Sequence, residues 1–344
     1  MGIKKYSFRS DYCELAHPKV LEALANVGRA QLDSYGLDEF SLRAGELVKT
    51  KINAPSADVH FIAGGTLTNL VLISSALRPF EAVVAPESGH IFVHETGAIE
   101  AIGHKVCVMR GEGGKLRATD IEAVVVEHCD EHMVKPRLVY ISLSAESGAI
   151  YTKEELLEIS RCCRKNNLYL YIDGARLGAA MNSPFVDLKY EDIANMADAF
   201  YVGGTKNGAL FGEALVILNN GLKADFRFHL KQKGALLAKG AAIGVQFEAL
   251  LRDGLYDELA SNAVAMGLKL ADGIGELGYG FLYPPVTNLL IPIFPLGVAD
   301  KLHMIYDFYD WQNLGDMTAA RMLTSWATPE EMIDGFIADL KNIG

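Results

Sequence analysis

The sequence predicts an α/β fold: a seven-stranded, mostly parallel sheet with helices on both faces, followed by a small C-terminal α+β domain. Three observations carry this expectation. Short β-rich runs alternate with helical patterns from Val59 to Leu218, as in parallel strands joined by crossover helices. Beyond Gly221 the chain turns helix-rich and then closes with strand candidates and a final helix. A length of 344 residues suits about two domains, here a large α/β domain over 1–250, including an N-terminal arm, and a small one over 251–344.

The elements follow in chain order. His17-Pro18 opens an amphipathic helix with Val20, Leu21, Leu24 and Val27 on one face. The strand candidates are Val59–Ala63, Ala82–Ala85, Lys105–Met109, Leu138–Leu143, Leu168–Ile172, Ala199–Val202 and Ala214–Leu218. Helical patterns separate the first five, at Leu67–Leu77, His94–Ile102, Ile121–His128 and Lys153–Lys165. A helical stretch from about Phe226 to Leu277 is broken by Gly278-Tyr279-Gly280 and Pro284-Pro285. Strands are expected at Leu289–Phe294 and Arg321–Trp326. The last helix shows Thr328 as N-cap, Pro329 at the first helical position and Glu331 three residues past the cap.

Composition narrows the function classes. Hydrophobic residues make up 50% of the chain and charged ones 22%, which excludes disorder and a disulfide miniprotein. A net charge of −11 repels phosphate backbones and argues against nucleic-acid binding. Cys13, Cys107, Cys129, Cys162 and Cys163 are odd in number and lack CxxC spacing, which suits reduced thiols in the cytoplasm. No signal-peptide h-region and no membrane-length apolar window is read.

Ligands of open parallel sheets bind beyond the carboxyl ends of the strands, and four such loops carry reactive residues. Gly64-Gly65-Thr66 stands between a strand and a helix, where glycines and free N–H groups can cradle an anion; a plain turn capped by Thr66 or Thr68 is the simpler alternative. Asp173 ends a buried strand and needs a cationic partner, either Arg176 or a ligand. Lys206, in Gly203-Gly204-Thr205-Lys206-Asn207-Gly208, is either a solvated loop lysine or a desolvated nucleophile toward a carbonyl. His90 follows Pro86-Glu87-Ser88-Gly89; with His94 it has zinc-like spacing but lacks the general base of HExxH, and no metal site is expected there or at 127–132. Together an anion cradle, a lysine, a strand-end carboxylate and an imidazole plane suit pyridoxal phosphate.

These residues resemble the threonine aldolase family, in the β-eliminating lyase group of fold-type I pyridoxal phosphate enzymes. The resemblance rests on Asp173-Gly174-Ala175-Arg176-Leu177 with Lys206 following 33 residues after Asp173. It extends through Arg9-Ser10-Asp11, Tyr35-Gly36, Gly64-Gly65-Thr66, His90 with Glu95, and 321–326, covering nearly the whole chain. It implies the fold-type I architecture and cleavage of L-threonine or related β-hydroxy-α-amino acids to glycine and an aldehyde, with another lyase or an aminotransferase on the same scaffold, or a silent homologue, as the alternatives.

The resemblance also implies roles. Lys206 would take the cofactor's aldehyde, Asp173 would face the ring nitrogen, and Gly65 and Thr66 would hold the phosphate. His90 would stack on the ring, Arg176 and Thr205 would lie along the cofactor, and Ser10 with Arg321 would bind the substrate carboxylate. Tyr35 and Lys239 would serve a neighbouring subunit of a homodimer or homotetramer. Where many members have an Asn-Thr-His run, this chain reads Ser142-Leu143-Ser144-Ala145-Glu146-Ser147-Gly148, so Glu146 is expected to handle the hydroxyl proton, ahead of His94 or a water.

Overall fold

Seven strands form the central sheet of the computed structural model, which describes residues 5–344. They are β1 (Asp58–Ile62), β2 (Glu81–Pro86), β3 (Val106–Met109), β4 (Lys135–Ser142), β5 (Tyr169–Asp173), β6 (Ala199–Gly203) and β7 (Glu213–Ile217). Across the sheet they run β1-β7-β6-β5-β4-β2-β3, with β7 alone antiparallel to its neighbours. Each coincides with an expected run to within a few residues. The apolar runs are continuous because both faces are covered. Leu138, Tyr140, Tyr171 and Tyr201 enter one core cluster, while Val139, Ile141, Leu170 and Phe200 enter the other.

The helices that matter for the site are α1 (Pro18–Asn26), α2 (Glu39–Lys51), α3 (Gly65–Ala76), α4 (Ala118–Glu127), α5 (Lys153–Lys165), α6 (Ala241–Leu251), α7 (Leu255–Glu276) and α8 (Glu330–Ile343). Their starts follow local chemistry. His17 Nδ1 accepts from the Lys19 N–H at 3.2 Å, and Pro18 opens α1. Thr152 and Glu155 form a reciprocal capping box on α5. Among the described residues, no helix is long and apolar enough to cross a membrane.

Four local expectations are corrected. The helix expected at His94–Ile102 is two short helices, His90–Val93 and Ala98–Ala101. Between them Thr96 and Gly97 take positive φ, which turns Glu95 inward. The expected strand Leu289–Phe294 divides into β8 (Leu289–Leu290) and β9 (Ile293–Pro295), around Pro292, which has no N–H to donate. An unforeseen strand, β10 (Tyr309–Asn313), is exposed throughout and so lacks a hydrophobic pattern. The strand expected at Arg321–Trp326 is β11 (Met317–Leu323), paired with β8, β9 and β10. Finally, Thr328 Oγ1 accepts the Ser325 N–H at 2.8 Å, and α8 starts at Glu330 without a side-chain cap.

A second core lies under this small sheet. It joins Leu270, Ala271 and Ile274 of α7 to Phe294, Met322, Phe336 and Leu340. The first turns of α7 send Leu255, Tyr256 and Leu259 into the main core instead, so one helix serves both. Phe8 also packs into the second core, and its N–H donates to Asp307 O at 2.8 Å. The N-terminal arm, expected with the large domain, thus runs from the small sheet to the sheet edge where the reactive residues lie.

Two glycines bring the loops after β5 and β6 together. Gly203 N donates to Gly174 O at 3.1 Å. A Cβ on Gly174 would stand 1.7 Å from Tyr201 O, while one on Gly280 would meet open space. Gly174→Ala should therefore cost about 3 kcal/mol of stability, the scale of forced overpacking, and Gly280→Ala less than about 0.5 kcal/mol. Urea unfolding of both variants checks this; equal midpoints would show that the loops can part without loss.

Candidate active site

Asp173, the last residue of β5, is buried and forms no ion pair among the described residues. Tyr201 of β6 donates its hydroxyl to Oδ1, and the Ala175 N–H adds a second bond there at 3.0 Å. Tyr140 of β4 donates to Oδ2 at 2.7 Å, and Asn69 Nδ2 of α3 at 3.1 Å. Burial alone would raise the pKa of this carboxyl. The two tyrosine hydroxyls, the Ala175 N–H and the charge of His90 more than offset it and hold the group below the usual carboxylate range. The expected alternative partner, Arg176, is engaged elsewhere.

Lys206 follows the adjacent strand. Its Nζ lies 5.8 Å from the centroid of the Tyr12 ring and has no hydrogen-bond or ion-pair partner among the described residues. Burial and the Arg176 charge lower its pKa, against the opposing pull of Asp11, Glu146 and Asp173. It is not a solvated loop lysine. Thr205 accepts the Gly212 N–H at 3.0 Å through its hydroxyl. Beneath the loop, buried Glu213 accepts the Gly204 N–H at 2.9 Å. Burial pushes its pKa up to about 7.

The loop after β1 enters α3 through Gly64, and no side chain caps this helix. Thr68 Oγ1 instead donates to Gly64 O at 2.9 Å, and Thr66 is exposed. The first N–H groups of α3, from Gly65 and Thr66 onward, are left for an anion. A Cβ on Gly65 would come within 3.1 Å of the Tyr201 hydroxyl, so glycine keeps this corner open. His90, after β2, holds Nδ1 2.7 Å from Glu95 Oε1. Burial pulls its pKa down, but Glu95, Glu146 and Asp173 together raise it. Asn69 Nδ2 also donates to Glu95 Oε1 at 2.7 Å, and Tyr171 donates to Asn69 Oδ1 at 2.8 Å.

Asp11, from the N-terminal arm, clasps Arg176 through both oxygens, with Nε at 2.7 Å and Nη2 at 3.1 Å. Glu146 lies 3.9 Å from Arg176 Nη1 and 3.6 Å from Arg321 Nη2. Burial raises the pKa of Glu146, yet Arg176, Lys206 and Arg321 bring it below the usual value. Arg321, on β11, is largely buried; its Nη2 faces Glu146 and its buried Nε has no partner, which leaves an unsatisfied donor that a carboxylate would meet. His94 stands with its ring centroid 5.5 Å from that of His90. Burial and the charges of His90, Arg321 and Lys206 lower its pKa despite Glu146.

The structure thus brings Lys206, Asp173, Arg176, Glu146 and Arg321 within one electrostatic cluster, with His90 and the α3 N-terminus beside it. Ser10 is next to Asp11 in sequence, but its hydroxyl lies 3.2 Å from Cys13 Sγ and bonds to none of the cluster. Tyr35 lies elsewhere: its carbonyl accepts from Arg227 at 3.2 Å and its ring faces Lys231. The fold brings the 238–240 segment beside it: the Tyr35 N–H donates to Ala238 O at 3.1 Å, and Gly240 packs on the backbone of Gly36. The residues the sequence did not offer are Asn69, Tyr140, Tyr201 and Glu213. The tyrosines read as strand-core aromatics, and Glu213 reaches the site because β7 runs backwards and starts at the sheet's carboxyl edge.

Comparisons with known proteins place the chain in a family. A family model described as beta-eliminating lyase matches residues 7–293. The low specificity L-threonine aldolase of Pseudomonas sp. (strain NCIMB 10558) is 29% identical, over 100% of this chain and 99% of its own length. The solved structure of Leishmania major threonine aldolase is 46% identical with a TM-score of 0.96, covering 98% of this chain and 99% of that one. An aspartate aminotransferase of Thermus thermophilus shares the fold at a TM-score of 0.73 and 15% identity, covering 100% of this chain and 92% of that one.

Glu213 gives a pH test. Its folded-state pKa, about 7, exceeds the ordinary glutamate value, so the folded state holds the proton more tightly than the unfolded chain does. Stability from this group is fully present below the unfolded pKa and is lost as pH rises through about 7. A glutamine keeps the acceptor for the Gly204 N–H without the charge. Glu213→Gln should match the wild type near pH 4 and exceed it by pH 8, by up to about 3 kcal/mol. Thermal melts across that range check this; a gap independent of pH would show that Glu213 does not titrate there.

Proposed function

The chain belongs to the β-eliminating lyase family, and we propose that it is a pyridoxal phosphate enzyme cleaving L-threonine or a related β-hydroxy-α-amino acid to glycine and an aldehyde. The observation that carries this reading is the pairing of an ionised carboxylate held by neutral donors, Asp173, with an unpartnered lysine of lowered pKa, Lys206, at the ends of adjacent strands. The residues fit the cofactor: the uncapped α3 N-terminus suits its phosphate, Lys206 its aldehyde, Asp173 its ring nitrogen and His90 its ring face. When bound, the cofactor supplies a carbonyl for the substrate amine and a ring that accepts the electron pair of the breaking bond.

The chain's own residues supply the rest. Arg321 takes the substrate carboxylate on its unsatisfied donor, with Ser10 on the neighbouring arm, and so sets the orientation of the Cα–Cβ bond. Arg176, held by Asp11, keeps a fixed positive charge beside Lys206 and favours its neutral form. Glu146 was expected to accept the hydroxyl proton. Its low pKa and its two arginine neighbours make it a weak base and suit it to aligning Arg321. His94, an imidazole whose pKa burial and the charges of His90, Arg321 and Lys206 lower, is the better-matched acceptor because an imidazole is more basic than a carboxylate held between two arginines. The enzyme is cytoplasmic and homo-oligomeric on this reading, with Tyr35 and Lys239 facing a neighbouring copy's site.

Product identification tests the proposal. Incubation of the cofactor-loaded protein with L-threonine should release glycine and acetaldehyde without any keto acid. His94→Gln should lower kcat by about 10²-fold or more with KM little changed. Amino transfer that requires a keto acid would instead assign the chain to aminotransferase chemistry, and an unaltered kcat would remove His94 from the proton path.

A further inference from the structure

Trp311 occupies a position that core packing does not explain. It sits on β10, an edge strand that is exposed throughout, and it belongs to none of the hydrophobic clusters. Edge strands are usually blunted with polar residues, yet this one turns an indole back over the sheet. The turn comes from a β-bulge. Asp310 pairs with Ala320 and Gln312 with Ala319, so Trp311 is the extra residue between them. Bulges of this kind re-aim a side chain and recur beside active sites.

The ring's neighbours are site residues. The Arg321 guanidinium carbon lies 5.3 Å from the Trp311 ring centroid, within cation–π range. The His94 ring, from the opposite side of the site, is 6.5 Å away, tilted by 49°. Trp311 therefore joins the group proposed to hold the substrate carboxylate to the group proposed to take the hydroxyl proton. Both groups are tied to Cα and Cβ of the substrate, so whatever Cβ carries must extend beyond them. Trp311 remains 36% exposed, which leaves part of its surface for a ligand.

We propose that Trp311 is the wall of the β-substituent pocket and sets a preference for flat, apolar β-substituents over the methyl group of threonine. This rests on the reading of the chain as a β-hydroxy-amino-acid lyase with Arg321 at the carboxylate. An aryl group lying on the indole gains offset-stacked or edge-to-face contact and apolar burial, whereas a methyl group covers little of the ring. The chemical class favoured is the β-aryl-β-hydroxy-α-amino acids, with an aromatic aldehyde as product. The bond changes are those of threonine cleavage: Cα–Cβ breaks, the hydroxyl loses its proton, and Cα regains one.

The test compares kcat/KM for β-phenylserine and L-threonine in the wild type, Trp311→Ala and Trp311→Phe, all cofactor-loaded. The alanine variant should lose at least tenfold more with phenylserine than with threonine, the scale of a hydrophobic specificity contact. The phenylalanine variant should recover most of the phenylserine rate. An equal loss with both substrates would overturn the proposal, reducing Trp311 to a prop for Arg321, and so would no loss with either. A wild type that releases glycine from neither substrate would overturn the lyase reading itself and this proposal with it. Thermal melts of the exposed-site variants should match the wild type within a few degrees.

Discussion

A carboxylate buried without a cation is costly unless neutral donors satisfy it, and the rest of this molecule is arranged around one that is satisfied in that way. Asp173 receives two tyrosine hydroxyls, a backbone N–H and a side-chain amide. These donors keep it ionised without neutralising it. Its charge therefore remains available to a protonated ring nitrogen, which an arginine partner would have prevented. The donors come from β4, β6 and α3, so the same bonds fix the sheet's edge against the helix whose N-terminus is proposed to hold the phosphate. Asn69 makes that link directly, bonding Asp173 and Glu95 through one amide nitrogen.

The separation of charges continues around the site. Arg176 is matched by Asp11 in a bidentate clasp, which ties the N-terminal arm to the loop after β5. Glu146 stands between Arg176 and Arg321. Lys206 is left next to a fixed cation, and desolvation plus that cation bring its pKa down. Each ionised group has a partner of opposite sign or a set of neutral donors, except the lysine and one edge of Arg321. On the proposed reading those two are the groups that take up ligand.

Much of the fold was legible in the sequence because the central strands are buried on both faces and so read as unbroken apolar runs. The candidate site was legible where a reactive residue ends such a run or follows it within a few residues: Asp173 at the end of β5, Lys206 past β6, His90 past β2. What stayed hidden was set by the third dimension. Tyr140 and Tyr201 differ from other core aromatics only in what their hydroxyls meet. Glu213 required knowing that β7 runs backwards. The break at Thr96 and Gly97 turns Glu95 toward His90, a contact absent from local propensity. β10 has no buried face and hence no pattern, so Trp311 gave no sign of its place. The expected cap at Thr328 failed for a related reason, since Ser325 offered its hydroxyl a nearer donor.

The central claim is that Asp173 carries an unneutralised negative charge on which turnover depends. The most direct measurement is the threonine-cleavage kcat of Asp173→Asn with its cofactor loaded. The amide is close to isosteric and can keep several of the same contacts, so the fold should persist. The account predicts a fall of at least about 10²-fold, the scale of removing one preorganised electrostatic group. A kcat near that of the wild type would contradict it and leave Asp173 as a structural acceptor for Tyr140 and Tyr201.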